Sequence, residues 1–205
     1  VPALLKYTNQ VYYLENGELG IIKEDSVEFF DLDGNSVEKE LHEIKWTMEQ
    51  ATKGGYSHFM LKEIFEQPEC LKTCMRGRIN TDADNVTLSA VIDYKERLLA
   101  AKRIIIVACG TSWHAGLIGK QLIETFCRIP VDVEYASEFR YRNPVVTKDD
   151  LVIAMSQSGE TADTLAAVEL AKSFGALIYG ICNAVGSSIP RATDTGSYKI
   201  GRAHV

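Results

Sequence analysis

The residues Arg103-Ile-Ile-Ile-Val-Ala108 constrain this chain more than any other segment. An unbroken run of β-branched side chains has no polar face to offer to water. Such a run predicts a strand buried on both sides, and strands of that kind belong to parallel sheets covered by helices. The residues that follow keep the pattern. Thr111 to Phe126 has helical spacing, Val131 to Tyr135 is a short strand, and Leu151 to Met155 is a second apolar strand. Thr161 to Phe174 is an Ala- and Leu-rich helix stopped by Gly175, and Leu177 to Cys182 is a further strand. This alternation predicts an α/β, doubly wound parallel sheet.

The first half of the chain has another texture. Val11 to Leu14, Leu19 to Ile22 and Ser26 to Leu32 are short β-rich runs separated by Asn16-Gly17 and Asp33-Gly34 signals, which read as hairpins. Residues 42–57 read as a connector with Lys53-Gly54-Gly55-Tyr56. Phe59 to Gln67 has helical spacing and is expected to end before Pro68. A further short helix and a polar loop are expected over 69–85. Residues 87–101 suit one amphipathic helix with Leu88, Val91, Ile92, Leu98 and Leu99 on its inner side. The change in texture places a domain boundary near residues 80–86.

Composition removes several function classes. The 205 residues are 46% hydrophobic and 24% charged, which is ordinary globular usage. A net charge of −6 and a pI near 5.3 disfavour nucleic acid as a partner. No window approaches the ~18 consecutive apolar residues of a membrane span. The chain opens Val1-Pro2-Ala3 with no signal peptide and no initiator Met, so it reads as part of a longer, cytoplasmic protein. The five cysteines, Cys70, Cys74, Cys109, Cys127 and Cys182, have no zinc-ligand spacing and read as free thiols in a reducing compartment. No metal and no cofactor is expected.

Two strand ends share one chemistry. The first apolar strand runs into Cys109-Gly110-Thr111-Ser112 and then a helix. The third runs into Ser156-Gln157-Ser158-Gly159-Glu160-Thr161 and then a helix. Each puts hydroxyls and a Gly at the positive end of a helix, where free N–H groups and the dipole favour an anion. In the flavodoxin-like order 2-1-3-4-5, strands one and three are neighbours at the switch point, so both loops face one crevice. Neither loop contains Lys or Arg, so neutral donors do the binding. The competing reading is that these Ser and Thr side chains only cap their helices. The loops match neither GxxxxGK[ST] nor GxGxxG.

Those loops resemble a known family. SQSGETADTL (Ser156 to Leu165), ACGTSWHAG (Ala108 to Gly116) and YASEFRYR (Tyr135 to Arg142) are similar to the sugar isomerase (SIS) domain of the glutamine–fructose-6-phosphate aminotransferases. KGGYSHFMLKEIFEQP (Lys53 to Pro68) resembles that family's join between domains, and YTNQVYYLENGELGII (Tyr7 to Ile22) the end of its glutaminase domain. The resemblance implies residues 1–40 as the tail of an N-terminal-nucleophile (Ntn) glutaminase domain, 41–85 as interdomain linker, and 86–199 as a first SIS domain with an incomplete sheet. It implies a whole enzyme that passes ammonia from glutamine to fructose 6-phosphate, forms glucosamine 6-phosphate for UDP-N-acetylglucosamine biosynthesis, and is a homo-oligomer. The family's sugar-phosphate-binding residues fall on Ser112, Ser156, Gln157, Ser158 and Thr161, with Gly110 and Thr111 shaping the first loop.

The departures carry as much. Residue 1 is Val, where the family's glutaminase nucleophile is an N-terminal Cys. The family's isomerase Glu, His and Schiff-base Lys belong to a second SIS domain and a tail outside these residues. No catalytic residue is therefore expected in this chain, and the chain alone is expected to be inactive. The terminal Ile200 to Val205 is what a common sequencing adapter encodes in frame, so 200–205 is set aside as an artefact. A non-catalytic SIS-domain sugar-phosphate sensor and a simple phosphosugar isomerase are the alternatives; neither needs a glutaminase tail. Of the other polar residues, His114 reads as packed or solvated and Cys109 as a packed thiol. Glu160 suits the helix dipole, and Arg140 and Arg142 reach either a subunit contact or the crevice. Trp46 and Tyr56 read as packing at the linker.

Overall fold

The computed structural model describes residues 7–43, 53–80, 82 and 84–198. The readings of Trp46 and of residues 200–205 lie outside them. The chain divides into two compact units, Val1–Lys62 and Glu63–His204, apart from the terminal Val205. Each is described by itself. Among the described residues no helix is long and apolar enough to cross a membrane.

Among its described residues the first unit holds four short strands. β1 (Gln10–Val11) pairs antiparallel with β4 (His42–Glu43), and β2 (Glu18–Ile22) with β3 (Val27–Asp31). The Asp33-Gly34 turn forms as expected. The Asp31 carboxylate accepts the Asp33 and Asn35 amides at 3.0 and 2.8 Å, and Ser36 bridges back to Phe30. Asn16-Gly17 turns the chain without joining paired strands, because β1 finds its partner far along the sequence in β4. A turn signal reports chain reversal, whereas pairing is decided by which faces need cover. Phe29, whose ring meets that of Tyr12 at 4.9 Å and a 56° tilt, is the buried hydrophobic residue of this unit among those described.

α1 (Phe59–Met75) contains Pro68 in its interior. The expected stop does not occur, and the two expected short helices are one. Proline removes a single i→i−4 bond, and helix-forming residues on both sides carry the helix across it. After α1, β5 (Ile79–Asn80) and β6 (Asn85–Val86) form a two-residue ladder where a loop was expected. Residues 87–101 are two helices, α2 (Ser89–Ile92) and α3 (Lys95–Ala100), broken at Asp93-Tyr94. The inner residues are Val91, Tyr94 and Leu98, while Ile92 and Leu99 are 62% and 75% exposed. Residues one step from the inner row point about 100° away from it, so the expected apolar face was drawn too wide.

The remainder is the expected α/β sheet. Its elements are β7 (Arg103–Ala108), α4 (Thr111–Cys127), β8 (Val131–Tyr135), α5 (Ala136–Phe139), β9 (Asp150–Ser156), α6 (Ala162–Ser173), β10 (Leu177–Cys182), α7 (Ser188–Ala192) and β11 (Thr195–Tyr198). The strands lie in the order β11-β10-β9-β7-β8, all parallel. Read from β8, that is the order 2-1-3-4-5. β11 takes the fifth position, beside β10. Gly196 permits it there, since a Cβ would lie 2.3 Å from the Gly180 carbonyl oxygen.

Residues of β7 alternate between two cores. Ile105 and Val107 join Val152, Ala154 and Ile178 beneath Phe139, Val168 and Ile189 of α5, α6 and α7. Ile104 and Ile106 join Leu151 and Tyr179 on the other face, under Val91, Leu98 and Ile123. This is why the run has no polar member. At the opposite edge from the loops, β7 and β9 begin on an ion pair. Arg103 donates to both Asp150 carboxylate oxygens at 2.9 Å, and Asp150 also accepts the Thr147 amide at 2.7 Å. Burial pushes the Asp150 pKa up, but Arg103 and Thr147 outweigh it and hold the carboxyl below its ordinary value.

Asp150 is 5% exposed, so removing its charge leaves the guanidinium and a buried amide poorly matched. Asp150→Asn is expected to destabilise the fold by about 2–3 kcal/mol in urea melts at pH 7. Because its folded value is depressed, its stabilisation is present above the ordinary carboxylate range, about pH 4, and is lost as pH falls through the folded value. The difference between the wild-type chain and Asp150→Asn should therefore shrink in melts taken below pH 4.

Candidate functional site

Both hydroxyl loops leave the carboxyl edge of the sheet from neighbouring strands. Ala108 lies opposite Met155 in the β7–β9 register, so Cys109–Ser112 and Ser156–Thr161 begin side by side. The buried Thr164 of α6 donates its hydroxyl to the Cys109 sulfur at 3.9 Å, which ties the second helix to the start of the first loop.

In the first loop Gly110 has φ +57° and ψ −133°, a conformation suited to glycine. Its carbonyl receives the Trp113 and His114 amides at 3.1 and 3.4 Å, starting α4 directly at Thr111. Thr111 and Gly110 are exposed and Ser112 is half-buried. The first turn of α4 has no acidic residue, and its N-cap is Gly110, which has no side chain to cap with.

The second loop is organised from inside. Ser156 is buried, and its Oγ accepts the Gly159 amide at 3.0 Å and shares a hydrogen with Thr161 Oγ1 at 3.2 Å. Thr161 stands at the N-cap of α6 without capping it by its side chain. Ser158 is exposed, and its Oγ accepts the Glu160 amide at 3.2 Å. A hydroxyl that accepts from a backbone N–H keeps its own hydrogen to donate elsewhere. Ser158 thus has an outward donor, and the Ser156–Thr161 pair has one hydrogen beyond the one it shares. The Gln157 carbonyl accepts the Asn183 amide at 3.3 Å, and its side chain is half-buried. Asp163 in the first turn of α6 is paired with Arg140 at 2.9 Å, so its charge is balanced.

The other singled-out residues fall into place. Arg140 and Arg142 make pairs within this unit, Arg140 with Asp163 and Arg142 with Glu134 through its Nε at 2.7 Å. Trp113 stacks on Tyr135 with centroids 4.4 Å apart and planes 10° apart, and exposed His114 meets Trp113 edge-on at 5.0 Å. All five cysteines are free thiols. Sequence reasoning missed the segment after β10. Asn183 and Ser187 are buried there, and Ser187 and Ile189 brace the second loop. The signal was available, since Asn183-Ala-Val-Gly-Ser187 repeats the pattern of a strand running into Gly and a hydroxyl ahead of a helix.

Gly159 is the tightest point. Its φ is +69°, and a Cβ there would lie 1.9 Å from Ser187 Oγ and 2.7 Å from Ser187 Cβ. Gly159→Ala combines backbone strain with overpacking. We expect a loss of about 2–4 kcal/mol in thermal or chemical unfolding.

Comparison with known proteins bears on the family of this fold. The family model for the SIS domain matches residues 97–205. A Bacteroides thetaiotaomicron protein named glutamine–fructose-6-phosphate aminotransferase (isomerizing) is 68% identical over 196 residues, covering 95% of this chain and 32% of the relative. A protein of the same name from Chlorobaculum tepidum is 55% identical over 195 residues, again covering 95% of this chain and 32% of the relative. The chain thus spans about a third of the length of these curated relatives. Among solved structures, the C-terminal domain of glucosamine-fructose-6-phosphate aminotransferase from Francisella tularensis superposes with a TM-score of 0.65 at 41% identity, over 72% of this chain and 41% of that one. A five-stranded parallel sheet in this order, with two hydroxyl loops on its central strands and a domain match over more than half its length, belongs to the SIS-domain family.

Proposed function

We propose that this chain is a segment of a glutamine–fructose-6-phosphate aminotransferase, and that its SIS domain grips the phosphate of fructose 6-phosphate and of the product glucosamine 6-phosphate. The observation that carries the reading is the adjacency of the two hydroxyl loops on β7 and β9, in a chain 68% identical to a protein of that name. In this reading residues 1–40 end a glutaminase domain, 41–85 link the domains, and 86–199 form a first SIS domain. Glutamine is a substrate of the intact enzyme only. The intact protein is cytoplasmic and homo-oligomeric.

The chemistry follows from the donor set. A phosphate dianion is a pure acceptor, and the site offers acceptor-poor groups to it. The first-turn amides of α4 and the hydroxyls of Thr111 and Ser112 come from one side, and Ser158, Thr161 and Gln157 from the other. Gly110 lets the backbone approach the ligand, and Ser156 holds Gly159 and Thr161 in place. Two helix N-termini add a partial positive charge of about half a unit each. With no Lys or Arg in either loop, the grip is moderate, as suits a substrate that must leave again. The residues of this chain bind and orient the sugar phosphate. They contribute no general base, nucleophile or imine-forming amine.

Calorimetric titration with fructose 6-phosphate tests the reading. The wild-type chain should bind, and Ser156→Ala should weaken binding by about tenfold, the effect of removing one organising hydroxyl and its bonds. Equal affinity in both would refute the loop assignment. The same chain mixed with glutamine and fructose 6-phosphate should yield neither glutamate nor glucosamine 6-phosphate in a coupled assay.

A further inference from the structure

The second hydroxyl loop is tied to the segment after β10 at three points. The Asn183 amide reaches the Gln157 carbonyl at 3.3 Å, and the Ile189 amide reaches the Gly159 carbonyl at 2.9 Å. The third tie uses a side chain: the Ser188 amide donates to Glu160 Oε1 at 2.9 Å. Glu160 has a second link, since its own amide donates to Ser158 Oγ at 3.2 Å. One residue therefore sets the Ser158 hydroxyl through its backbone and anchors itself to the first residue of α7 through its carboxylate.

Gly159 packs against Ser187, but the side chains on either side of it are not held by packing. Ser158 and Glu160 are both exposed, and the glycine between them has no side chain. Charge makes the choice of residue informative. A carboxylate beside a loop that receives a dianion opposes binding by simple Coulomb repulsion, an opposition that the N-terminal dipole of α6 offsets in part. The hydrogen bond to Ser188 gives it a role and engages its charge with an amide at the start of α7.

We propose that Glu160 is a positioning residue for the anion loop, acting through Ser158 by fastening the loop to α7. The inference rests on the phosphate reading above. The experiment uses the 205-residue chain with fructose 6-phosphate as probe, comparing wild type, Glu160→Ala, Glu160→Gln, Ser158→Ala and the double variant Ser158→Ala/Glu160→Ala. Glu160→Ala should bind about five- to tenfold more weakly, with a melting temperature within about 2 °C of wild type. Glu160→Gln should bind as well as wild type or better, because its amide oxygen still accepts the Ser188 N–H and the repulsion is gone. The double variant should bind no more weakly than Ser158→Ala alone, since both changes disable one hydroxyl. Unchanged affinity in Glu160→Ala, equal losses in the Gln and Ala variants, or strictly additive losses would each overturn the proposal while leaving the phosphate reading intact. No binding by the wild-type chain would overturn both.

Discussion

The carboxyl edge of the sheet depends on β7 lying beside β9. Parallel neighbours end at the same edge, so whatever follows one strand meets whatever follows the other. Here each strand is followed by a short hydroxyl loop and a helix that points its N-terminus at that edge. The adjacency is maintained at both ends. Arg103 and Asp150 lock the register where the strands begin. The Thr164–Cys109 contact joins the second helix to the first loop where they finish. Between these ends, Ile105 and Val107 pack one core and Ile104 and Ile106 the other, so β7 cannot slip by one residue without exchanging its two faces.

On that frame the site is built from neutral donors. Backbone amides occupy acceptor lone pairs of Ser156 and Ser158, which leaves their hydrogens to be directed elsewhere. Of the carboxylates near the loops, Asp163 pairs with Arg140, and Glu160 accepts the Ser188 amide. The result is a cradle whose field comes from helix dipoles instead of cationic side chains, within a chain of net charge −6. Gly159 makes the second loop possible, and Ser187 makes it rigid. A Cβ at 159 would claim the space that the Ser187 side chain fills.

Much of the fold was legible because burial leaves a trace in composition. The strands over 103–108, 131–135, 151–155 and 177–182, and the helices between them, appear where the apolar pattern put them. The reading failed where a decision is made by distant partners. Asn16-Gly17 marks a turn, but β1 pairs with β4, beyond the reach of any local signal. Pro68 is a strong stop signal that α1 overrides at the loss of one bond. The face of α2 and α3 was misjudged because Ile92 and Leu99 are as apolar as the residues that do pack, and composition does not say which row meets the sheet.

The sequence by itself determined the class of fold and the two loops that gather hydroxyls at helix starts. Those follow from residue type and spacing, which any segment carries locally. Only the tertiary structure decided that Ser156 works inward while Ser158 faces out, that Arg140 and Arg142 are occupied by Asp163 and Glu134, and that Glu160 reaches Ser188. These depend on where a hydrogen-bond partner lies, and a partner 28 residues away is set by the packing of α6, β10 and α7.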